Sequence, residues 1–210
     1  MDKLLKYLAL GDSYTIGESV LPAHSFPLLL QEKLKIETGI DKIETKIIAK
    51  TGWTTGELLK GIQRAKPKKE YNLVTLLIGV NNQYRGLDIE DYKTEFQKLL
   101  DLSISFAQGQ KDQVIVVSIP DYGCTPFGKD QATKIHNELN QYNALNQELA
   151  RNSKVHWIDI FEISKRALTE PLLLAEDNLH PSGLMYKEWV EKIWPIGKII
   201  LSNSKKQIDL

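Results

Sequence analysis

The sequence is poor in several features that would narrow its class at once. Its 210 residues include one cysteine, Cys124, so no intramolecular disulfide can form and the fold must be stabilised by its core. Lys plus Arg and Asp plus Glu number 27 each, which gives a formal net charge of zero. Proteins that bind nucleic acid or anionic membranes over a broad surface carry a basic excess. We therefore expect no nucleic-acid partner.

Long apolar runs are also missing. No stretch approaches the ~18 residues that a membrane span requires. The N-terminal segment "MDKLLKYLALGDS" has too short an apolar run for a signal peptide and no small-residue cleavage site. The sequence thus favours a cytoplasmic protein without a membrane span, although a chain whose signal peptide had been removed would look the same. Its oligomeric state cannot be read from the sequence.

Signatures of metals and cofactors are absent as well. The histidines, the cysteine and the carboxylates show no convincing metal-ligand spacing. No Gly-x-Gly-x-x-Gly follows the first apolar run, and the Gly-x-Ser-x-Gly elbow of α/β-hydrolases does not occur. We expect neither a metal nor a cofactor. Cys124 lies in a loop rich in Gly, Pro and Asp, and we do not expect it to be a nucleophile.

Short apolar runs do alternate with amphipathic stretches along the whole chain. The apolar runs predict β-strands over residues 4–10, 42–49, 72–79, 113–120 and 154–160. The amphipathic stretches predict helices over residues 25–37, 54–65, 88–108, 130–152 and 183–202. This alternation predicts a parallel sheet with helices on both faces. We therefore predict an α/β fold, a three-layer sandwich around a sheet of about five strands, with residues 1–210 forming one domain.

The residues that follow each predicted strand matter most for function. In an open parallel sheet the ligand site lies outside the carboxyl ends of the strands. The first strand is followed by "GDSYTIGE", the second by "AKTGWTTGE" and the third by "GVNNQYRG", while "EDNLHPSG" precedes the last helix. These segments offer a hydroxyl, glycines, a carboxamide, and a carboxylate three residues before an imidazole.

In these four segments the chain resembles the GDSL or SGNH hydrolase family of esterases and lipases. That family is defined by four blocks carrying Ser, Gly, Asn and His, with an Asp three residues before the His. The matching positions here, in the family's order, are Ser13, Gly52, Asn81, Asp177 and His180. The resemblance implies a flavodoxin-like three-layer fold, in agreement with the alternation of runs.

Two positions depart from the family's pattern. Tyr14 stands where the family name has Leu, and we expect its side chain to face the turn and to be tolerated. Asn82 stands where Asp is common, which leaves open how the neighbouring Asn81 is supported.

The resemblance implies a serine esterase that forms an acyl-enzyme on Ser13. A serine hydroxyl is a weak nucleophile until a base takes its proton. His180 is the implied base, because imidazole titrates near neutral pH and can return the proton to the leaving group. Asp177 would hold the Nδ1–H of His180 and stabilise the imidazolium ion.

The tetrahedral oxyanion also needs hydrogen-bond donors. By the same resemblance, these are the backbone N–H groups of Ser13 and Gly52 and the side-chain amide of Asn81. Glycine suits its role because a Cβ could block the close approach of the substrate.

The substrate pocket and the function each leave two interpretations. Trp53, Tyr84, Tyr122 and Phe127 either line an acyl or alcohol pocket or are ordinary half-buried aromatics. The favoured function is hydrolysis of a small-molecule ester with a small or medium acyl chain. The alternative is a flavodoxin-like module that binds a ligand or cofactor without hydrolysis. That alternative leaves Asn81 and the Asp177–His180 pair unexplained.

Overall fold

The structure, a computed structural model, describes residues 4–206. These residues form one sheet of five parallel strands in the order β2-β1-β3-β4-β5. The strands are Leu5–Gly11 (β1), Ile43–Ala49 (β2), Leu73–Leu77 (β3), Val114–Val117 (β4) and His156–Ile158 (β5). All five predicted strands are present, and the predicted parallel sheet is confirmed.

Within residues 4–206, eight α-helices surround this sheet. They are Ser13–Ile16 (α1), Phe26–Thr38 (α2), Thr55–Ala65 (α3), Val80–Tyr84 (α4), Ile89–Phe106 (α5), Ala132–Ser153 (α6), Phe161–Lys165 (α7) and Gly183–Lys206 (α8). Helix α2 packs on α8, whereas α3 packs on α5 and α5 on α6, and both α5 and α8 contact β3. The predicted three-layer α/β/α sandwich is therefore confirmed. In this part of the chain, none of the helices combines the length and apolarity needed to cross a membrane.

Residue composition explains the place of each strand in the sheet. Every residue of β3 and β4 is buried, as expected for apolar strands covered on both faces. Strand β2 lies at an edge and exposes Glu44 and Lys46 while burying Ile43 and Ile48. The central strands thus carry the core, and the charged edge strand discourages pairing with another sheet.

Strand β5 is shorter than the predicted run over residues 154–160. The side chain of Asp159 ends it: Oδ1 accepts a hydrogen bond from the backbone N–H of Phe161 at 2.8 Å and another from Ser118 Oγ at 3.0 Å. Because Asp is bound locally in this way, the chain turns into α7 instead of extending the ladder.

The strand order decides which loops meet. Strand β1 lies between β2 and β3, so the segments that follow these three strands emerge side by side at one edge of the sheet. Those segments contain Gly52, Ser13 and Asn81. Residues 29 to 68 positions apart in the chain are thus brought to one place by the parallel register.

Candidate active site

A cavity of about 180 Å³ lies where the three segments meet. Its wall contains Ser13, Gly52, Asn81 and His180, which come from four separate parts of the chain. The aromatic side chains of Tyr84, Tyr122 and Phe127 complete the wall. Four of the five residues matched to the family's blocks therefore line one cavity, and the fifth, Asp177, contacts it through His180.

Ser13 stands at the first position of α1, separated from β1 only by Asp12. A Cβ built on Gly11 would lie 2.4 Å from the carbonyl oxygen of Leu77 and 2.0 Å from Oγ1 of Thr15, so only glycine fits there. Asp12 caps α1, since its Oδ1 accepts a hydrogen bond from the backbone N–H of Tyr14 at 3.0 Å. The sequence Gly-Asp-Ser thus makes a tight exit from the strand that places the serine at its tip.

Asp12 is also an unusual carboxyl group. It is fully buried, and its Oδ2 has no hydrogen-bond partner among residues 4–206. Burial raises the pKa of Asp12 to about 7, and the hydrogen bond from the Tyr14 N–H offsets only part of that rise. A buried acid that readily becomes neutral therefore lies directly beside the candidate nucleophile.

His180 is held by Asp177 through two hydrogen bonds, one to its imidazole and one to its backbone. Its Nδ1 lies 2.6 Å from Asp177 Oδ2, and its backbone N–H donates to Oδ1 at 2.9 Å. Burial acts to raise the pKa of Asp177, but hydrogen bonds from Ser19, from His180 and from the Leu179 N–H outweigh it and lower the pKa to about 2. Asp177 is therefore an anion at neutral pH, suited to orient the imidazole and to stabilise its protonated form.

Ser19 is a neighbour of this pair that the sequence analysis missed. Its Oγ donates a hydrogen bond of 2.6 Å to Asp177 Oδ2, the oxygen that also binds His180. Ser19 has a φ of 63°, in the left-handed region that non-glycine residues seldom adopt. Because the hydroxyl is retained in a strained backbone conformation, we infer that Ser19 positions Asp177. Nothing in the sequence near Ser19 signals this contact, because its partner lies 158 residues away.

The loop that carries His180 is closed on itself. Leu174 and Pro181 form an antiparallel bridge, and the N–H of Ala175 donates to the carbonyl of His180 at 2.8 Å. These contacts make the segment between them a hairpin-like turn, which brings Asp177 back onto His180. The spacing of three residues works because the chain reverses between them.

Tyr14 supports the imidazole from inside the protein. Its ring is buried and meets the ring of His180 edge-on, with 5.5 Å between centroids and 61° between planes. It also packs on Trp189 of α8 at 6.2 Å. The expectation that Tyr14 faces the turn is wrong, because α1 begins at Ser13 and directs the next side chain into the core. Burial raises the pKa of Tyr14 well above its ordinary value, so the phenol is neutral.

Gly52 and Ser13 contribute backbone N–H groups at the cavity wall. In residues 4–206, the structure records no protein acceptor for either N–H. Gly52 has a φ of 81°, and a Cβ placed there would meet only Arg85 Nη2, at 3.7 Å. Glycine is therefore favoured here by the backbone conformation itself. Both N–H groups are available to a developing oxyanion.

The amide of Asn81 is oriented by the loop after β2. Its Nδ2 donates to the carbonyl oxygen of Trp53 at 3.0 Å, and an amide nitrogen carries a second hydrogen. The adjacent Asn82 is buried and exchanges two hydrogen bonds with Thr55, one with the backbone N–H at 3.0 Å and one with Oγ1 at 2.7 Å. Asn82 therefore supports Asn81 by anchoring α4 to the start of α3, a task for which Asp is not needed.

Arg85 fixes the same loop from the other side. Its Nη2 donates to the Gly52 carbonyl at 2.5 Å, and its Nη1 lies 3.3 Å from Oε2 of Glu57. Glu57 in turn forms a capping box with Thr54 at the start of α3. The carbonyls of Gly52 and Trp53 are thus bound by Arg85 and Asn81, which holds this loop in place.

The predicted substrate-binding aromatics divide into two groups. Tyr84, Tyr122 and Phe127 line the cavity and form a triangle with ring centroids 6.0 to 6.3 Å apart. Trp53 lies outside that wall: its ring packs on α3, where a Cβ on Gly61 would come within 2.3 Å of it. The glycine in α3 makes room for the indole, so Trp53 is part of the fold and contributes only its carbonyl to the site.

Ser13 and His180 line the same cavity, but the structure records no hydrogen bond between their side chains within residues 4–206. Nε2 of His180 likewise has no protein partner there, so it is the nitrogen left for the substrate and the nucleophile. Catalytic hydrogen bonds are often long before a substrate binds and tighten only in the complex.

A serine and an aspartate-bound histidine at one cavity are the groups that a serine hydrolase uses, and the sequence family agrees with that class. The chain belongs to the GDSL-like lipase/acylhydrolase family, whose model matches residues 9–188. No curated protein matches the chain in sequence.

Solved structures share the fold over almost the whole chain. TesA is 18% identical with a TM-score of 0.69, and the match covers 93% of this chain and 99% of TesA. The psychrotrophic esterase EstA from Pseudoalteromonas sp. is 19% identical with a TM-score of 0.68, covering 94% and 98%. Axe2, an acetylxylan esterase from Geobacillus stearothermophilus, is 18% identical with a TM-score of 0.68, covering 93% and 96%. At these identities the likeness shows the common fold.

Proposed function

We propose that this protein is a serine esterase that hydrolyses carboxylic esters of small acyl chains through an acyl-enzyme on Ser13. The observation that carries the proposal is the cavity itself, in which Ser13, the aspartate-bound imidazole of His180, Gly52 and Asn81 meet from distant segments. A ligand-binding module without hydrolysis has no use for the Asp177–His180 pair.

The reaction follows from the roles of these groups. Ser13 Oγ attacks the ester carbonyl carbon while Nε2 of His180 takes its proton, and Asp177 stabilises the resulting imidazolium. The N–H groups of Ser13 and Gly52 and the amide of Asn81 stabilise the oxyanion. Collapse breaks the bond to the alcohol oxygen, which receives the proton from His180.

Water completes the cycle through the same base. It attacks the acyl-enzyme as His180 takes one of its protons, and the second tetrahedral intermediate collapses to the carboxylic acid. The proton returns from His180 to Ser13 Oγ. One ester and one water thus yield one acid and one alcohol, with the protein unchanged.

The size of the cavity supports small acyl groups. At about 180 Å³ it is smaller than the ~300 Å³ at the lower end of ligand pockets. The lining residues Tyr14, Val80 and Tyr122 are buried. An acetyl or propionyl group fits such a space, and a long acyl chain would need the aromatic wall to move.

The proposal is tested by the nucleophile and by chain length together. The wild type should hydrolyse p-nitrophenyl acetate, with kcat/KM falling from acetate to butyrate to octanoate. A fluorophosphonate probe should label Ser13, identified by peptide mass spectrometry. Ser13→Ala should abolish both turnover and labelling while its circular dichroism matches the wild type. Turnover that survives in a folded Ser13→Ala variant would overturn the assignment.

A further inference from the structure

A second cavity, of about 320 Å³, adjoins the catalytic one. The two share Tyr84, Tyr122 and Phe127, so the aromatic triangle is the wall between them. We call this second space the outer cavity. Its other walls carry the polar side chains of Gln83, Asp130, Gln131, Lys134 and Glu138.

The catalytic cavity is too small to hold both the acyl half and the alcohol half of an ester. A space of about 180 Å³ holds the acyl group near Ser13 but little more. The alcohol half therefore needs space outside this cavity. The outer cavity is the adjoining space, and it begins at the same three rings.

The aromatic wall offers apolar surface to whatever crosses it. The side chains of Tyr84 and Phe127 are 60% and 55% exposed, although both rings are large and apolar. Their centroids lie 6.0 Å apart, and each ring also contacts the buried Tyr122. Adjacent exposed aromatics of this kind mark binding surfaces, because covering them removes apolar area from water.

The polar side chains of the outer cavity supply both donors and acceptors. Glu138 is held in place by Gln83, whose Nε2 donates to its Oε2 at 2.7 Å, and this leaves Oε1 of Glu138 for a ligand. Asp130, Gln131 and Lys134 are exposed, so their polar groups are accessible. A ligand that presents several hydroxyl groups can both donate to and accept from such a set.

The charge of this set disfavours an anionic ligand. Asp130 and Glu138 are acidic and Lys134 is basic, so the cavity wall has a formal charge of −1. Phosphate groups are recognised by clusters of Arg and Lys, which this wall lacks. A phosphorylated head group or nucleotide carrier would face net repulsion here, whereas a neutral polyol would not.

We propose that the outer cavity binds the alcohol half of the substrate and that this half is a neutral, hydroxyl-rich ring such as a sugar. The inference rests on the proposed esterase function. The sugar's C–H face lies on Tyr84 and Phe127, and its hydroxyls bond to Glu138, Lys134 and their neighbours. The acyl group then occupies the catalytic cavity beside Ser13.

Three acetate esters test this inference, since they share an acyl group and differ only in the alcohol. They are methyl 6-O-acetyl-glucopyranoside, p-nitrophenyl acetate and acetylcholine. We compare the wild type with the double variant Lys134→Ala/Glu138→Ala. Asn137→Ala is the matched control, because Asn137 is exposed on the same helix α6 and lines neither cavity.

In the double variant, the ratio of kcat/KM for the sugar acetate to that for p-nitrophenyl acetate should fall about tenfold, from the loss of two hydrogen-bonding groups. The control should keep the wild-type ratio. An unchanged ratio in the double variant overturns the subsite, and so does a wild-type preference for acetylcholine, which would indicate a cation site. Failure of the wild type to hydrolyse any of the three esters would instead overturn the esterase function itself.

Discussion

The molecule contains two aspartate–histidine pairs that look alike by distance. Nδ1 of His180 lies 2.6 Å from Asp177, and Nδ1 of His136 lies 2.8 Å from Asp121. Their burial is opposite. In the first pair the histidine side chain is 11% exposed and the aspartate 30%, whereas in the second the histidine is 37% exposed and the aspartate 0%.

The burial pattern separates the pair that we propose to be catalytic from a structural one. His180 lines a cavity with Ser13, and its Nε2 is left to accept a proton. His136 lies on α6 with its ring against Phe161 at 5.4 Å, and it supplies a partner to the buried carboxylate of Asp121. In the first pair the aspartate orients the imidazole, and in the second the imidazole supplies a hydrogen-bond partner to a buried carboxylate.

The second pair even has a nucleophile-type side chain beside it. Cys124 is buried near Asp121, and burial together with that carboxylate raises the pKa of the thiol to about 12. A thiol with such a pKa is not nucleophilic at neutral pH. Acid, base and nucleophile in one neighbourhood therefore do not make a catalytic site unless the charges favour the reactive form.

Replacing each of the two histidines in turn is the strongest test of this comparison. His180→Asn should lower kcat by about 10⁵-fold or more, because it removes the base, while His136→Asn should leave kcat unchanged. The measurement is turnover of p-nitrophenyl acetate with circular dichroism as a check of folding. Equal losses in the two variants would mean that the pairs do not differ as their burial indicates.

The two aspartates should separate activity from stability. Asp177→Asn should lower kcat by about 10⁴-fold, since the imidazole loses its orienting anion. Asp121→Asn should keep kcat but lower the free energy of unfolding by about 1 kcal/mol, since the His136 contact loses its charge. Steady-state kinetics and urea unfolding of both variants check this. A large loss of kcat in Asp121→Asn would place the second pair in the reaction.

Asp12 shows what a buried carboxyl does without a histidine, and it predicts a pH dependence. In the folded protein its pKa is raised to about 7 from 3.8, so between about pH 4 and pH 7 the folded state holds a proton that the unfolded state has lost. Stability must then fall as the pH rises through this window, by up to about 4 kcal/mol at about 1.4 kcal/mol per pKa unit.

Asp12→Asn removes that dependence. The difference in unfolding free energy between the variant and the wild type should grow in favour of the variant from pH 4 to pH 7, because other groups cancel. Urea unfolding at four pH values measures it. Parallel stability curves for the two proteins would show that Asp12 does not titrate in this window.

Ser19 provides the smallest effect and sharpens the catalytic pair itself. Ser19→Ala and Ser19→Gly should both lower kcat about tenfold with little change in KM, because each removes a hydrogen bond to the Asp177 anion. Ser19→Gly should nevertheless be the more stable of the two by about 1 kcal/mol, since glycine accepts the positive φ without strain. If kcat followed stability across these variants, the hydroxyl would have only a structural role.

Much of the fold could be predicted from local pattern. The helix predicted over 54–65 is Thr55–Ala65, and the one predicted over 88–108 is Ile89–Phe106, because amphipathic spacing extends over several turns. The helices α1, α4 and α7, of four or five residues, were not predicted, since a single turn is too short for a period to show. These short helices carry or adjoin the site.

The sequence predicted which residues form the candidate site, but it predicted the surrounding residues less well. Ser13, Gly52, Asn81 and His180 were chosen from strand exits and family blocks, and the structure brings them to one cavity. For Trp53 the sequence left a place in the wall and an ordinary half-buried position both open, and the ring packs on α3, where Gly61 leaves room for an indole. A pattern of residue types does not show which way the Trp53 side chain turns.

By itself the sequence determined the kind and order of the elements, because apolar periodicity is a local property. It also determined which segments follow the strands, and therefore which residues are candidates for the site. Only the tertiary structure decided that Tyr14 lies under His180, that Ser19 reaches Asp177 across 158 residues, and which of two aspartate–histidine pairs faces a nucleophile. Those outcomes depend on burial and on contacts between distant segments, which exist only once the layers have packed.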